Sequence, residues 1–264
     1  MRRHRRIALL LLAAALFSVG EVVFASRLPR ATQPVSATGR SKPANDGKRQ
    51  LPFRVGEKLF YEIGYLSMPE AATAELKVMP HLDFYGHRAA WHFQAIAQTE
   101  EPLSYAMPLN DQFDSYDAAS TLLTLQYELY LHERGVDSVR KLSLNENTPG
   151  ADRVDVPAGT RDPLAALYAM RANNWQSRPL LRMPVYDGTN FYRMTARLTQ
   201  THGSVTVPAG TFSTSEISVK VTSLSTNEGM QFTLWLANNP AHTPVEVDAV
   251  VPIGVVKGLL LRVE

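Results

Sequence analysis

His81, Asp83, His87 and His92 are the residues best suited by type and spacing to hold a metal in this 264-residue sequence. If a two-residue turn falls at Tyr85-Gly86, His81 and His92 lie diagonally on one polar strand face and Asp83 follows on that face. Two imidazoles and a carboxylate can bind zinc and leave a position open. The competing explanation is a solvated sheet face beside a turn, and no His-Glu-x-x-His spacing supports the metal. The sequence therefore leads us to expect no metal.

Other catalytic sets are thinner. The carboxylate pairs Asp111 with Asp114, and Glu100 with Glu101, suit glycosidase chemistry only if a cleft separates them correctly; as sequence they read as loop charges. Ser213, Ser215 and Ser218 lack a Gly-x-Ser-x-Gly elbow and fit an alternating strand. Glycine is scattered singly, so there is no phosphate cradle and no cofactor is expected. With no cysteine in the chain, disulfides, thiolate metal sites and a lipid-modified cysteine are all excluded. No residue is assigned a catalytic role.

The aromatic side chains point instead toward binding. Phe60, Tyr61, Tyr65, Trp91, Phe93, Phe191, Tyr192, Phe232 and Trp235 fall in mid-strand. On the concave side of a curved sheet such rings make an apolar pocket; they also build any β core. Tyr61, Tyr65, Trp91 and Trp235 are the candidate ligand contacts, with Arg171 offering charge to an anionic head group. Arg171 is equally explained as a cation at a helix C-terminus.

Positioning these residues falls to strands. Ala72, Ala74, Leu76 and Val78 share one face of a strand, as do Trp91, Phe93, Ala95 and Ala97 of the next. Aligning Val78 with Phe93 and Leu76 with Ala95 puts both apolar sets on one side. Further strands are predicted at 58–65, 112–116, 121–132, 136–144, 180–186, 190–199, 212–224, 230–236, 245–251 and 255–263. Asp187-Gly188 marks a hairpin turn between two of them. One segment breaks the alternation. Asp162 is an N-cap, Pro163 fits the first helical position, and Leu164, Leu167, Tyr168 and Arg171 share a face, which predicts a short helix at about 162–172 docked on the sheet. Val-Pro-Ala-Gly-Thr occurs at 156–160 and 207–211. Duplication would explain the repeat, but so would reuse of one turn, with Gly210 at a turn position.

The first 25 residues have the form of a secretory signal peptide. Four arginines and a histidine precede the apolar run Ile7–Phe17, and Val23-Phe24-Ala25 offers a cleavage site. Arg5-Arg6 allows a twin-arginine route, which its neighbours match poorly. The run is short of the roughly 20 residues that a membrane span needs. Cleavage near Ala25 would leave a periplasmic protein that is not a lipoprotein and has no stable membrane span. Subtracting the leader's four arginines from 27 basic residues, and Glu21 from 25 acidic ones, leaves 23 against 24. A chain so close to neutral argues against nucleic acid as a partner. Residues 26–50, rich in Ala, Ser, Thr and Pro, read as a disordered tether, and 51–264 as a single β-rich domain.

Several ordered segments carry a resemblance. They are Leu59–Leu66, the helix Arg161–Arg171 with its Asp162, the hairpin Val185–Gly188 with Asp187, and the turn Val207–Phe212. Phe232–Leu236, Pro244-Val245 and Ile253–Leu260 complete the set. Together the chain resembles the bacterial exported proteins grouped as domain of unknown function 3108, from about Phe53 to the end. The resemblance implies a periplasmic β-rich domain and brings no catalytic residue with it.

The expected fold is mainly β: a strongly curved antiparallel sheet or open β-barrel, with a short helix plugging or covering it. The leading expectation for function is a non-enzymatic binding or chaperone-like module holding a lipid or other apolar ligand. One alternative is an assembly factor that binds an envelope protein by strand addition. Another is a hydrolase acting on envelope polysaccharide.

Overall fold

The computed structural model describes residues 51–264 apart from 66, 81, 82, 86, 87, 134, 147, 252 and 253. The signal-peptide and tether expectations, and His81 and His87, therefore lie outside the described residues. The strands are β1 (Lys58–Tyr65), β2 (Met68–Val78), β3 (Asp83–Tyr85), β4 (Arg88–Thr99), β5 (Asn110–Ala118), β6 (Thr124–Glu133), β7 (Val136–Ser143) and β8 (Asp152–Arg153). They continue as β9 (Leu180–Tyr186), β10 (Phe191–Val207), β11 (Gly210–Ser223), β12 (Gly229–Ala237), β13 (Pro244–Val251) and β14 (Gly254–Val263). The helices are α1 (Leu103–Ala106) and α2 (Pro163–Arg171).

Two meanders make one sheet, ordered β8-β7-β6-β5-β4-β2-β1-β14-β13-β12-β11-β10-β9, with β3 added beside β4. Neighbours in this order pair antiparallel except β7 and β8, which pair parallel, and the first and last strands close the middle through β1 and β14. Its two ends are tied to one segment: Val154 N–H donates to the Ser143 carbonyl on β7, while Arg161 exchanges backbone hydrogen bonds with Pro184 and Tyr186 on β9. The expected curved, open barrel is the observed fold.

Alternation sets the inner face. Leu59, Tyr61 and Ile63 of β1, Val256 and Leu260 of β14, and Phe232 and Leu234 of β12 are buried, while their sequence neighbours are less so. The predicted register is observed, with Leu76 opposite Ala95 and Val78 opposite Phe93. β3 and β4, however, pair in a register other than the one that a turn at Tyr85-Gly86 predicts. β3 pairs Tyr85 with Arg88, a register two residues out of step with the β2–β4 ladder, which continues as far as the Met79 N–H donating to the His92 carbonyl.

α2 enters the concavity of this sheet. Of its nine residues all but Ala169 are buried. A helix docked by one face would leave the other in water; a helix apolar on all sides is an interior one. Ala165 and Ala166 supply the second apolar side. Each large side chain it buries contributes about 1.5–3 kcal/mol.

Candidate functional site

α2 is fastened at both ends by polar contacts. At its N-terminus Asp162 accepts from the backbone N–H groups of Leu164 (2.7 Å) and Ala165 (3.0 Å). Its other oxygen accepts from Thr124 Oγ1 of β6 (2.7 Å) and from Ser115 Oγ of β5. Ser115 Oγ also lies 2.8 Å from Asp117 Oδ2. One hydroxyl proton cannot serve two carboxylates, so one carboxyl must itself carry a proton and donate it. Asp117 is the one that does so, because burial and then the neighbouring Asp162 charge raise its pKa well above the usual carboxylate range. The chain runs from the Asp117 carboxyl to Ser115 and on to Asp162. Asp162 is itself raised by burial, against four hydrogen bonds that favour its charge.

At the C-terminus Arg171 is fully buried and grips Glu57 with both terminal nitrogens, at 2.6 and 3.0 Å. It also donates to the Ala241 carbonyl (3.0 Å), and His242 Nδ1 meets the Arg171 carbonyl (2.6 Å). Burial opposes the cation, but the hydrogen bonds and charge of Glu57 outweigh it and hold the guanidinium pKa above its usual value. Around this pair stand Phe53, Phe93 and Tyr168, with Tyr168 stacked on Phe93 at 3.7 Å between centroids.

The candidate ligand residues are only partly brought together. Tyr61 is buried close enough to Arg171 for that charge to act on its phenol, and its hydroxyl donates to the Pro244 carbonyl (2.8 Å). Trp91 stacks beside Phe93 and meets Phe53 edge-on. Tyr65 lies further along β1, opposite Val256. Trp235 does not face the concavity. Its neighbours Leu234 and Leu236 are buried inward, and it stands on the outer face between Glu216 and Glu246. The expected concave grouping of Trp235 with the others is thus corrected by strand parity. Asp187 and Gly188 begin a four-residue loop, in which Asp187 Oδ1 accepts from the N–H groups of Thr189 and Asn190. Gly210 has φ +128°, at the tip joining β10 to β11.

The chemical constellations separate too. His92 Nε2 meets Asp114 Oδ1 at 2.7 Å and the ring stacks on Tyr116; the side chain of Asp83 lies outside the described residues. Among the described residues no three metal-ligating side chains group together. Asp111 sits opposite Ala97 on the inner side, whereas Asp114 is on the other, so β5 parity splits that pair. Glu100 accepts from Thr73 and Gln98. Ser215 donates to Asn238, and Ser218 accepts from Gln231.

Two features were missed from sequence. Glu57 gave no signal, lying ahead of β1 with nothing to mark it as the Arg171 partner. β7 did give one: Val-Asp-Ser-Val-Arg-Lys lacks an apolar face, and all six of these residues are exposed. β8 pairs only with Leu142 and Ser143, so Val136–Lys141 has β6 on one side and no strand on the other among the described residues. Val136 is 66% exposed and Val139 60%.

Among solved structures the chain is similar to a beta-barrel-like protein of domain of unknown function DUF1849 from Brucella abortus. Identity is 7%, TM-score 0.51, and 80% of this chain and 97% of that one are covered. It also matches a structure from Parabacteroides distasonis described as a candidate lipoprotein (10% identity, TM-score 0.40, 81% and 97% covered). A candidate exported protein with a YmcC-like fold from Bacteroides fragilis matches as well (9% identity, TM-score 0.34, 81% and 98% covered). The first likeness is one of fold. No curated protein matches the chain. The family model described as a protein of unknown function, DUF3108, matches residues 61–260, and the chain belongs to that family.

Proposed function

We propose that this protein is an exported, periplasmic, non-enzymatic binding module that takes up a strand of an envelope protein along the free edge of β7. The observation that carries this reading is the bare row of β7 backbone groups at Val136–Lys141, with two exposed valines beside it. An unpaired edge is a template for another strand, and natural proteins usually cover or blunt it. Here Arg140 and Lys141 mark one end of the stretch, while Val136–Val139 has neither lysine nor proline. No helix among the described residues is long and apolar enough to cross a membrane.

The apolar-carrier reading places its ligand where α2 stands. Admitting one there requires α2 to withdraw, breaking the Arg171–Glu57 pair and the Asp162 cap together. A hydrolase reading finds Asp111 and Asp114 on opposite faces of β5.

Site-specific photo-crosslinking in cells tests the proposal, with the probe at Val139 and, as control, at Val250, which is 73% exposed. A protein adduct from Val139 and none from Val250 is expected. Adducts from neither position, or equally from both, would contradict it.

A further inference from the structure

We infer that the strand received by β7 is β7 of a second copy of this chain, joined across a two-fold axis at Val139; this rests on the strand-addition reading above. The backbone fixes which groups are free. The Leu144 N–H donates inward to the Leu125 carbonyl on β6, whereas the Ser143 carbonyl accepts outward from Val154. Strand parity then turns the N–H and C=O groups of Asp137, Val139 and Lys141 away from β6. β8 blocks Leu142 and Ser143, and the β6–β7 turn ends the strand before Val136, so the open window is Val136–Lys141.

Antiparallel pairing of two such windows about an axis normal to the sheet must place residues of the same face opposite each other. Of the registers that do so, those centred on Ser138 and on Val139 pair the most of the window, five residues each. The first sets Asp137 against Val139. The second sets Val139 against itself and Asp137 against Lys141, twice over, with all three residues exchanging backbone hydrogen bonds. Opposite charges facing across a strand pair stabilise it, so charge selects the second register. The side chains extend the pattern. Within one copy His132 meets Asp137, and Lys141 meets Glu128 at 3.0 Å. Across the axis the row reads His132, Asp137, then Lys141 and Glu128 of the second copy, so no like charges adjoin. Asp137 is 82% exposed, which leaves room for a second partner beside His132. Two-fold pairing of identical edges also closes on itself, leaving neither copy with an open β7 for further growth.

Sedimentation equilibrium on the protein purified after export tests this. A particle of twice the chain mass is expected. Asp137→Lys should weaken it on the order of tenfold by setting lysine against lysine at both ends. Asp137→Lys/Lys141→Glu should restore it. The chain has no cysteine, so Val139→Cys gives an independent reading that needs no charge change. It should form a disulfide-linked pair on mild oxidation, while Val250→Cys should not. A monomer at all concentrations, a dimer indifferent to Asp137→Lys, or a dimer that oxidation of the Val139→Cys variant fails to link would each overturn the inference. A monomer whose Val139 still crosslinks a different envelope protein in cells would remove the second copy as partner and leave the strand-addition reading standing.

Discussion

Asp117 holds one carboxyl oxygen against Ser115, while the other has no hydrogen-bond partner among the described residues. Its pKa is raised in the fold by burial and by Asp162, so it keeps a proton that the unfolded chain releases at about pH 4. A proton held only by the folded state means that stability falls as pH rises from that range toward the folded value. Asp117→Asn is neutral at every pH. It should flatten that slope in urea titrations between pH 5 and 8 and gain on the order of 1–3 kcal/mol at the upper end; an unchanged slope would refute the protonated assignment. At the other end of α2, Arg171→Met strands Glu57 in the interior and should cost about 3–5 kcal/mol. Glu57→Gln together with Arg171→Met should recover most of that loss, and a purely additive double variant would show that the two residues do not act as a pair. Arg171 was visible in sequence as a helix-end cation, but its partner 114 positions away was not.

At the scale of the element, local chemistry was the most legible. Asp162-Pro163 announces the start of α2, and the Val78–Phe93 register follows from alternation alone. Tertiary context hid the rest. Ala165 and Ala166 suit an exposed helix face as well as a buried one, so whether α2 lay on the sheet or inside it depended on what surrounded it. β10 runs to Val207, eight residues past its predicted end, because its last stretch is polar and follows a break in register between Leu198 and Gly203. The second Val-Pro-Ala-Gly-Thr forms the tip of that hairpin and docks Ala209 N–H on the Leu260 carbonyl; the first precedes α2. The β9–β10 loop offers a direct check. Gly188 has φ +99°, and a Cβ there would meet Leu129 and Leu142 side-chain carbons at 3.2–3.4 Å. Gly188→Ala should cost about 2 kcal/mol in urea denaturation, from backbone strain plus crowding. No measurable loss would mean that this loop does not press on β6 and β7.

Over the whole molecule, the first and last strands, β1 and β14, lie side by side at the middle of the sheet, and the stretch between its two halves supplies the helix that fills the curve. Alternation along each strand forecast a curled sheet, but it could not show which strands lie at the ends or that one segment ties both. Filling the inside with α2 shifts the binding surface to the outside, and that displacement is the central claim. Backbone amide exchange on the dilute protein tests it most directly. The account predicts that Leu164–Arg171 exchange only at the rate of global unfolding, while Asp137, Val139 and Lys141 exchange fast beside protected even-numbered neighbours. Rapid exchange across α2 by local opening, with the strands still protected, would contradict the account and return the site to the interior.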